Sequence, residues 1–334
     1  MVRSQNICKK CRDFFSPGRR CDIMGNMDYL IPKGGAFMKR TDFGNAAILR
    51  WLSYFSEYDE LDLATLLILD ITRQNKNLIP AVQSTRQVMV LTDAGHPNIF
   101  YDMWDAGLGD CDILYNEGSE PTGPIKHDKL QDMIDRGINA PAAMLIINEN
   151  YRSTYQIGLD NQRFCAGSIR YVSSEIRSVI LSKLQVELRD TILTVGAASI
   201  AVEAALVAAE GTIIAVEHNP SDLATMEENA KGFGLNNVTC LGSVSDSARL
   251  PVPSLAFLVA SEYTASEIAF LLGRNPEMRI FVYTLDFHQL SALPGIFSSQ
   301  GLKIQELVQV GVSRLNSKGT FDREPAPWLI SGQR

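Results

Sequence analysis

Asp190-Thr191-Ile192-Leu193-Thr194-Val195-Gly196-Ala197-Ala198-Ser199, running through an alanine-rich stretch into Thr212-Ile213-Ile214-Ala215-Val216-Glu217, decides the fold. Thr191 to Val195 is a short apolar, β-branched run, the pattern of a buried strand. Gly196 opens a tight turn, and Ile200 to Ala209 is helical. Thr212 to Val216 is a second strand, with Glu217 at its carboxyl end. This is the opening of a nucleotide-binding α/β domain. In such folds an acid at that strand end holds the ribose hydroxyls of a nucleotide or of S-adenosylmethionine. Between strand and helix, however, one glycine is followed by Ala197-Ala198-Ser199, where a G-x-G-x-x-G-like loop is expected. Gly196, Ala197, Ser199, Glu217 and the neighbouring His218 are therefore the candidate cofactor contacts of this unit.

Toward the carboxyl terminus the β-α rhythm continues. Ser221 to Gly232 reads as a helix entered through Asn219-Pro220. Val238 to Leu241, Leu255 to Ala260 and Arg279 to Thr284 read as strands, and Lys303 to Ser313 with Trp328 to Ser331 as two closing strands. Ahead of the opening strand, Ile176, Val179, Ile180 and Leu184 share one face of a helix that Ser173 or Ser174 can cap. Successive β-α units predict a parallel doubly wound sheet, with the terminal pair as an antiparallel hairpin at its edge.

Toward the amino terminus, residues 151–172 read as a linker and residues 44–150 as a smaller α/β domain. Its helices are expected at Ala46 to Phe55, Asn98 to Ala106 and Asp128 to Arg136. Its strands are expected at Leu63 to Ile71, Gln87 to Thr92, Asp112 to Asn116 and Ala143 to Asn148. Trp51, Tyr54, Phe55 and Tyr58 form a stripe at helical spacing, which reads as core. Residues 1–43 are irregular. They carry Cys8-x2-Cys11 and Cys21, which either bind zinc or seed an iron–sulfur cluster, since paired thiolates so spaced clamp one metal, or remain unliganded thiols; no fourth ligand lies nearby.

A chain of 334 residues with 46% apolar content can bury two ordinary cores. Net charge is −7 with no basic block, which argues against nucleic acid as partner. No run approaches the roughly 20 apolar residues of a membrane span. Met1 to Asn6 leads into charged sequence rather than an apolar signal core, and six cysteines in a chain this long make no disulfide framework. A reducing, cytoplasmic setting fits. Cys111, Cys165 and Cys240 read as small apolar fillers, and His96, His127, His218 and His288 are scattered without catalytic companions. Neither a G-x-S-x-G elbow nor a phosphate loop is present, which excludes the common hydrolases and P-loop enzymes.

Specific stretches resemble the precorrin-6Y C5,15-methyltransferase (decarboxylating) family of cobalamin biosynthesis. They include Gly158-Leu159-Asp160-Asn161-Gln162-Arg163-Phe164, Ser174-Glu175-Ile176-Arg177, Ala215-Val216-Glu217-His218-Asn219-Pro220, Glu228-Asn229-Ala230, Val308 to Arg314 and Pro327 to Gly332. The resemblance covers residues 158–334 and implies a class I, Rossmann-like methyltransferase domain that uses S-adenosylmethionine. Upstream, Val88 to Asp93, Gly107-Leu108-Gly109-Asp110 and Asn116-Glu117-Gly118 resemble the second half of the fused tetrapyrrole methylase. The first half of that module has no counterpart here. In the family, C5 and C15 of a corrin precursor are methylated and an acetate side chain is removed. The resemblance thus implies a tetrapyrrole-like substrate handled at C15, and a homo-oligomer.

Four departures cluster on one cleft. The first loop, Thr194 to Ser199, is two residues shorter than the family's and lacks its later glycines. The family's Thr-Lys before the first helix is Val172-Ser173, its Gly-Asp after the third strand is Gly242-Ser243, and its Gly-Gly after the fourth is Val259-Ala260. Gly242 and Ser243 complete the candidate cofactor contacts. Glu203 reads either as a site residue or as a charge on an amphipathic face. Two functions follow: a diverged S-adenosylmethionine-dependent methyltransferase, or a non-catalytic binding or assembly protein that keeps the methyltransferase shell.

Overall fold

A computed structural model describes residues 45–72, 76–152 and 157–334, all within one compact unit. The amino-terminal cysteines Cys8, Cys11 and Cys21 lie outside the described residues.

The first sheet has five strands. Helix α1 (Asn45–Phe55) precedes strand β1 (Leu67–Asp70), helix α2 (Leu78–Ser84), strand β2 (Gln87–Thr92) and helix α3 (Ile99–Asp105). Strands β3 (Asp112–Glu117), β4 (Lys126–Lys129) and β5 (Ala142–Ile147) follow. Their order is β1-β2-β5-β3-β4, with β1 parallel to β2 and the other pairs antiparallel. One face packs on Phe100, Met103 and Leu78 from α2 and α3, the other on Trp51 and Phe55 of α1. Two expectations are corrected here. Asp128 to Arg136 is not a helix: Lys126–Lys129 pairs as the edge strand and only a 3-10 turn, Leu130–Asp132, follows. Tyr58 leaves the aromatic stripe, being 55% exposed while Trp51 and Phe55 are fully buried.

The second sheet has seven strands. Helix α4 (Ser174–Leu184) leads into β6 (Thr191–Val195), α5 (Ala198–Val207), β7 (Thr212–Val216) and α6 (Pro220–Gly232). Next come β8 (Val238–Leu241), β9 (Leu255–Val259), α7 (Thr264–Arg274), β10 (Arg279–Thr284) and α8 (Phe287–Ser299). Strands β11 (Lys303–Gln309), β12 (Ser313–Leu315), β13 (Phe321–Arg323) and β14 (Trp328–Gln333) end the chain. The order is β11-β14-β10-β9-β6-β7-β8, parallel from β8 through β10. The closing pair is antiparallel as expected, but its second member, β14, inserts between β10 and β11. From β6 the chain steps outward to β7 and β8, then returns to β9 on the opposite side. Ligands of open α/β sheets bind at the carboxyl ends beside such a reversal.

Helix α5 is buried nearly all round and is apolar apart from Ser199 and Glu203: Ile200, Ala201, Val202, Ala204 and Ala205 are all inaccessible to solvent. Its neighbours explain why. Segment 157–172 carries no strand and only a 3-10 turn, Asn161–Arg163, yet buries Leu159 and Phe164 against this layer. The five-stranded part also reaches α5. The buried Asn77 donates Nδ2 to the Ala205 carbonyl (3.1 Å) and accepts the amides of Asn236 (2.9 Å) and Asn237 (3.3 Å). Beside it Gly234, at φ +63°, packs so closely on Ile79 that an added Cβ would stand 2.6 Å from the Ile79 Cβ. Asn77→Ala strands the buried Asn237 amide, while the amide of the exposed Asn236 turns to water. The loss of a buried partner costs about 1–3 kcal/mol, so urea denaturation of the full chain should show a loss of about 1–3 kcal/mol. A loss below about 0.5 kcal/mol would mean that Asn77 does not join the two sheets.

Candidate functional site

The carboxyl ends of β6, β7 and β8 bring the expected contacts together. Gly196 leaves β6 at φ +65° and donates its amide to the Val216 carbonyl (2.9 Å), which ties the loop to the next strand. An added Cβ would stand 3.4 Å from the Val259 Cβ across the reversal point. Ala197, Ala198 and Ser199 follow, all buried. Ala197 sits at the cap position of α5 without a side-chain capping bond. A helix N-terminus with bare amides attracts an anion, and here it finds Glu217.

Glu217 is 6% exposed at the end of β7. The backbone N–H groups of Ala197 and Ala198 lie close enough to its carboxylate to lower its pKa. Burial pushes this carboxyl up to about 7, aided by the nearby Asp222 charge; the two amides and His218 oppose the rise. Sequence reading placed Glu217 at the ribose position. The structure adds that it also lies close to the amides that open α5.

A cavity of about 390 Å³ opens beside these residues, lined by His218, Ser243, Val244, Tyr263, Glu267 and Phe270 among others. His218 Nδ1 lies 3.1 Å from the Gly242 carbonyl and Nε2 2.7 Å from Glu267 Oε1. Ser243 is occupied locally: its hydroxyl caps the turn Val244–Arg249 by accepting the Ser245 amide. His218 is thus held by two acceptors rather than standing as an isolated surface histidine. Glu267 carried no signal beyond an acid in the first turn of α7, which usually marks a favourable helix-dipole contact. Farther along the same sheet edge, Tyr263, Leu285 and Phe287 expose apolar surface, Phe287 at 73%.

Glu203 does not belong to this cluster. It and Arg177 are wholly inaccessible: Arg177 Nε donates to Glu203 Oε1 at 2.6 Å, and the Gly158 and Leu159 amides donate to the same carboxylate. Both readings of Glu203 from the sequence give way to a buried structural pair. Cys111 is buried, and burial pushes its thiol and that of the half-buried Cys240 up to about 11, which suits inert packing groups. No group of three or more metal-ligating side chains exists among the described residues, which do not include Cys8, Cys11 and Cys21. No described helix is long and apolar enough to cross a membrane.

Residues 169–323 match the family model of a precorrin methyltransferase domain. That stretch of the chain is similar to the family. Among solved structures, the precorrin-6Y C5,15-methyltransferase of Geobacter metallireducens GS-15 is 24% identical over 54% of this chain and 98% of its own, with a TM-score of 0.50, and shares the class I methyltransferase fold. The C-terminal domain of the Rhodobacter capsulatus precorrin-6Y C5,15-methyltransferase is 19% identical over 54% of this chain and 100% of its own, TM-score 0.47. Precorrin 8w decarboxylase of Methanobacterium thermoautotrophicum is 18% identical over 53% and 100%, TM-score 0.47. No curated protein matches the sequence.

The raised Glu217 carboxyl has a consequence for stability. Unfolded, it titrates near 4.5; folded, near 7. Between these values the native state holds a proton that the unfolded chain has released. The group's contribution is therefore complete below about pH 4.5 and is lost as pH rises through 7, on the order of 3 kcal/mol in all. Glu217→Gln keeps the shape without the charge. Denaturation at pH 5 and pH 8 should show the variant gaining on the wild type as pH rises. A stability difference that stays constant across this range would contradict the assignment.

Proposed function

We propose that residues 173–334 form an S-adenosylmethionine-dependent methyltransferase domain, diverged from the precorrin-6Y type and acting on a tetrapyrrole-like small molecule. The observation that carries this reading is Glu217. It is a desolvated carboxylate at the carboxyl end of β7, one strand from the order reversal and next to a cavity large enough for a purine. The residues present suit the cofactor. Glu217 would accept from the ribose diol, the amides at the start of α5 would then be free for an anionic group, and Val244, Tyr263 and Phe270 offer apolar walls for a base. The sulfonium centre supplies the electrophilic methyl carbon. The chain's own share is to bind and orient, since transfer to a nucleophilic carbon depends mainly on position. The exposed Tyr263, Leu285 and Phe287 would meet a large, flat, apolar acceptor. We infer corrinoid chemistry at C15 with decarboxylation from the precorrin family match, and propose further a homo-oligomer within the cytoplasm.

A second reading rests on a specific observation: the Ala197 and Ala198 amides already lie close to the Glu217 carboxylate. A ribose must displace them, and a shell that stays closed would act as a binding or assembly module without methyl transfer.

Calorimetric titration of the full chain with S-adenosylmethionine and S-adenosylhomocysteine separates the two. The enzyme reading expects roughly micromolar binding. It also expects Glu217→Ala to bind at least about tenfold more weakly, since a charge-assisted bond is worth about 1.5–3 kcal/mol. Equal binding by a folded variant would remove Glu217 from the site. Absence of binding by the wild type would leave only the scaffold.

A further inference from the structure

The structure assigns base recognition at this site to Glu267: its carboxylate, held by His218, accepts a hydrogen bond from the exocyclic amine of an adenine and excludes a purine with a carbonyl in that place. The inference rests on the S-adenosyl reading of the same cleft.

Glu267 lines the 390 Å³ cavity yet is only 6% exposed. Its Oε1 is taken by His218 Nε2 at 2.7 Å, while its Oε2 is buried with no hydrogen-bond partner. An acceptor left unpaired away from water carries its full desolvation cost, more for a charged group than a neutral one. A donor brought by a ligand removes that cost. The terminal torsion of a glutamate is soft, so Oε2 can turn to a donor in the cavity while the rest of the side chain stays packed.

The rest of the cavity selects among ligands. Ser243, which follows β8, spends its hydroxyl on the Ser245 amide. Its hydroxyl also lies 2.8 Å from that of Ser245. Val244 and Phe270 present apolar walls, and Tyr263 packs its edge toward His218 with centroids 5.4 Å apart. A flat, mostly apolar ring with one N–H donor at its rim matches this lining. The His218 side chain fixes the carboxylate from the far side. Its Nδ1 faces the Gly242 carbonyl and its Nε2 the Glu267 carboxylate, both of which only accept, so the two bonds form together when both ring nitrogens carry a proton.

The test compares two probes on the full-length protein by calorimetry: S-adenosylhomocysteine, with a 6-amino group, and S-inosylhomocysteine, with a 6-oxo group. Wild type should bind the amino ligand at least tenfold more tightly, because a buried carboxylate repels the carbonyl. In Glu267→Ala the preference should fall to within about threefold. Glu267→Gln, which keeps the volume, should lose it as well, because an amide can present either a donor or an acceptor. A tenfold preference that survives in either folded variant overturns the assignment while leaving the methyltransferase reading intact. A wild type that binds both ligands equally does the same. A wild type that binds neither overturns both.

Discussion

The buried Arg177–Glu203 pair is the interaction on which the second sheet's surroundings depend. Both side chains are fully inaccessible, and each is saturated. Arg177 donates to Glu203, to Asn161 Oδ1 and to the carbonyls of Val172 and Leu159, and lies over the Phe164 ring. Glu203 accepts the Gly158 and Leu159 amides as well. Removing two charges from water is costly, and only complete pairing makes it tolerable. The pair therefore requires one arrangement: α4 against α5, with residues 158–172 wrapped over both. Because α5 begins at the cofactor loop, holding its middle also sets where its N-terminus meets Glu217.

The site repeats the theme of buried carboxylates at the sheet's carboxyl edge. Glu217 lies close to the bare amides that open α5 and is pushed up to about 7 by burial. Glu267 keeps one oxygen on His218 and one unpaired. Neither arrangement is the one stability alone would select. A glutamine at 217 would cap the helix at less desolvation cost, and an apolar residue at 267 would fill the space without an orphaned acceptor. Such unrelieved polar groups concentrate where a ligand supplies the missing partner.

Much of this was legible in the sequence wherever one physical cause dominates. Thr191–Val195 and Thr212–Val216 are buried on both faces, so their continuous apolar runs mark them without ambiguity. Lys126–Lys129 escaped because an edge strand facing water carries Lys-His-Asp-Lys, which has no apolar alternation to detect. Helix α2 escaped because it is seven residues long with Pro80 in its first turn, where proline is tolerated but reads as a break. At the site, Glu217 was visible from its place after an apolar strand. Glu203 and Glu267 were not, because a carboxylate on a helix looks solvent-facing until its partner is known. Those partners, Arg177 and His218, lie 26 and 49 residues away.

The most direct test of this account is a double-mutant cycle on the buried pair, read by urea denaturation of the full chain. Arg177→Met and Glu203→Leu should each cost about 3–5 kcal/mol, because each leaves its partner as an uncompensated buried charge. The double variant should be far more stable than the sum of the two losses implies, with a coupling of about 2 kcal/mol or more. Single losses below about 1 kcal/mol, or losses that simply add, would contradict the claim that this pair holds segment 158–172, α4 and α5 in register with the site.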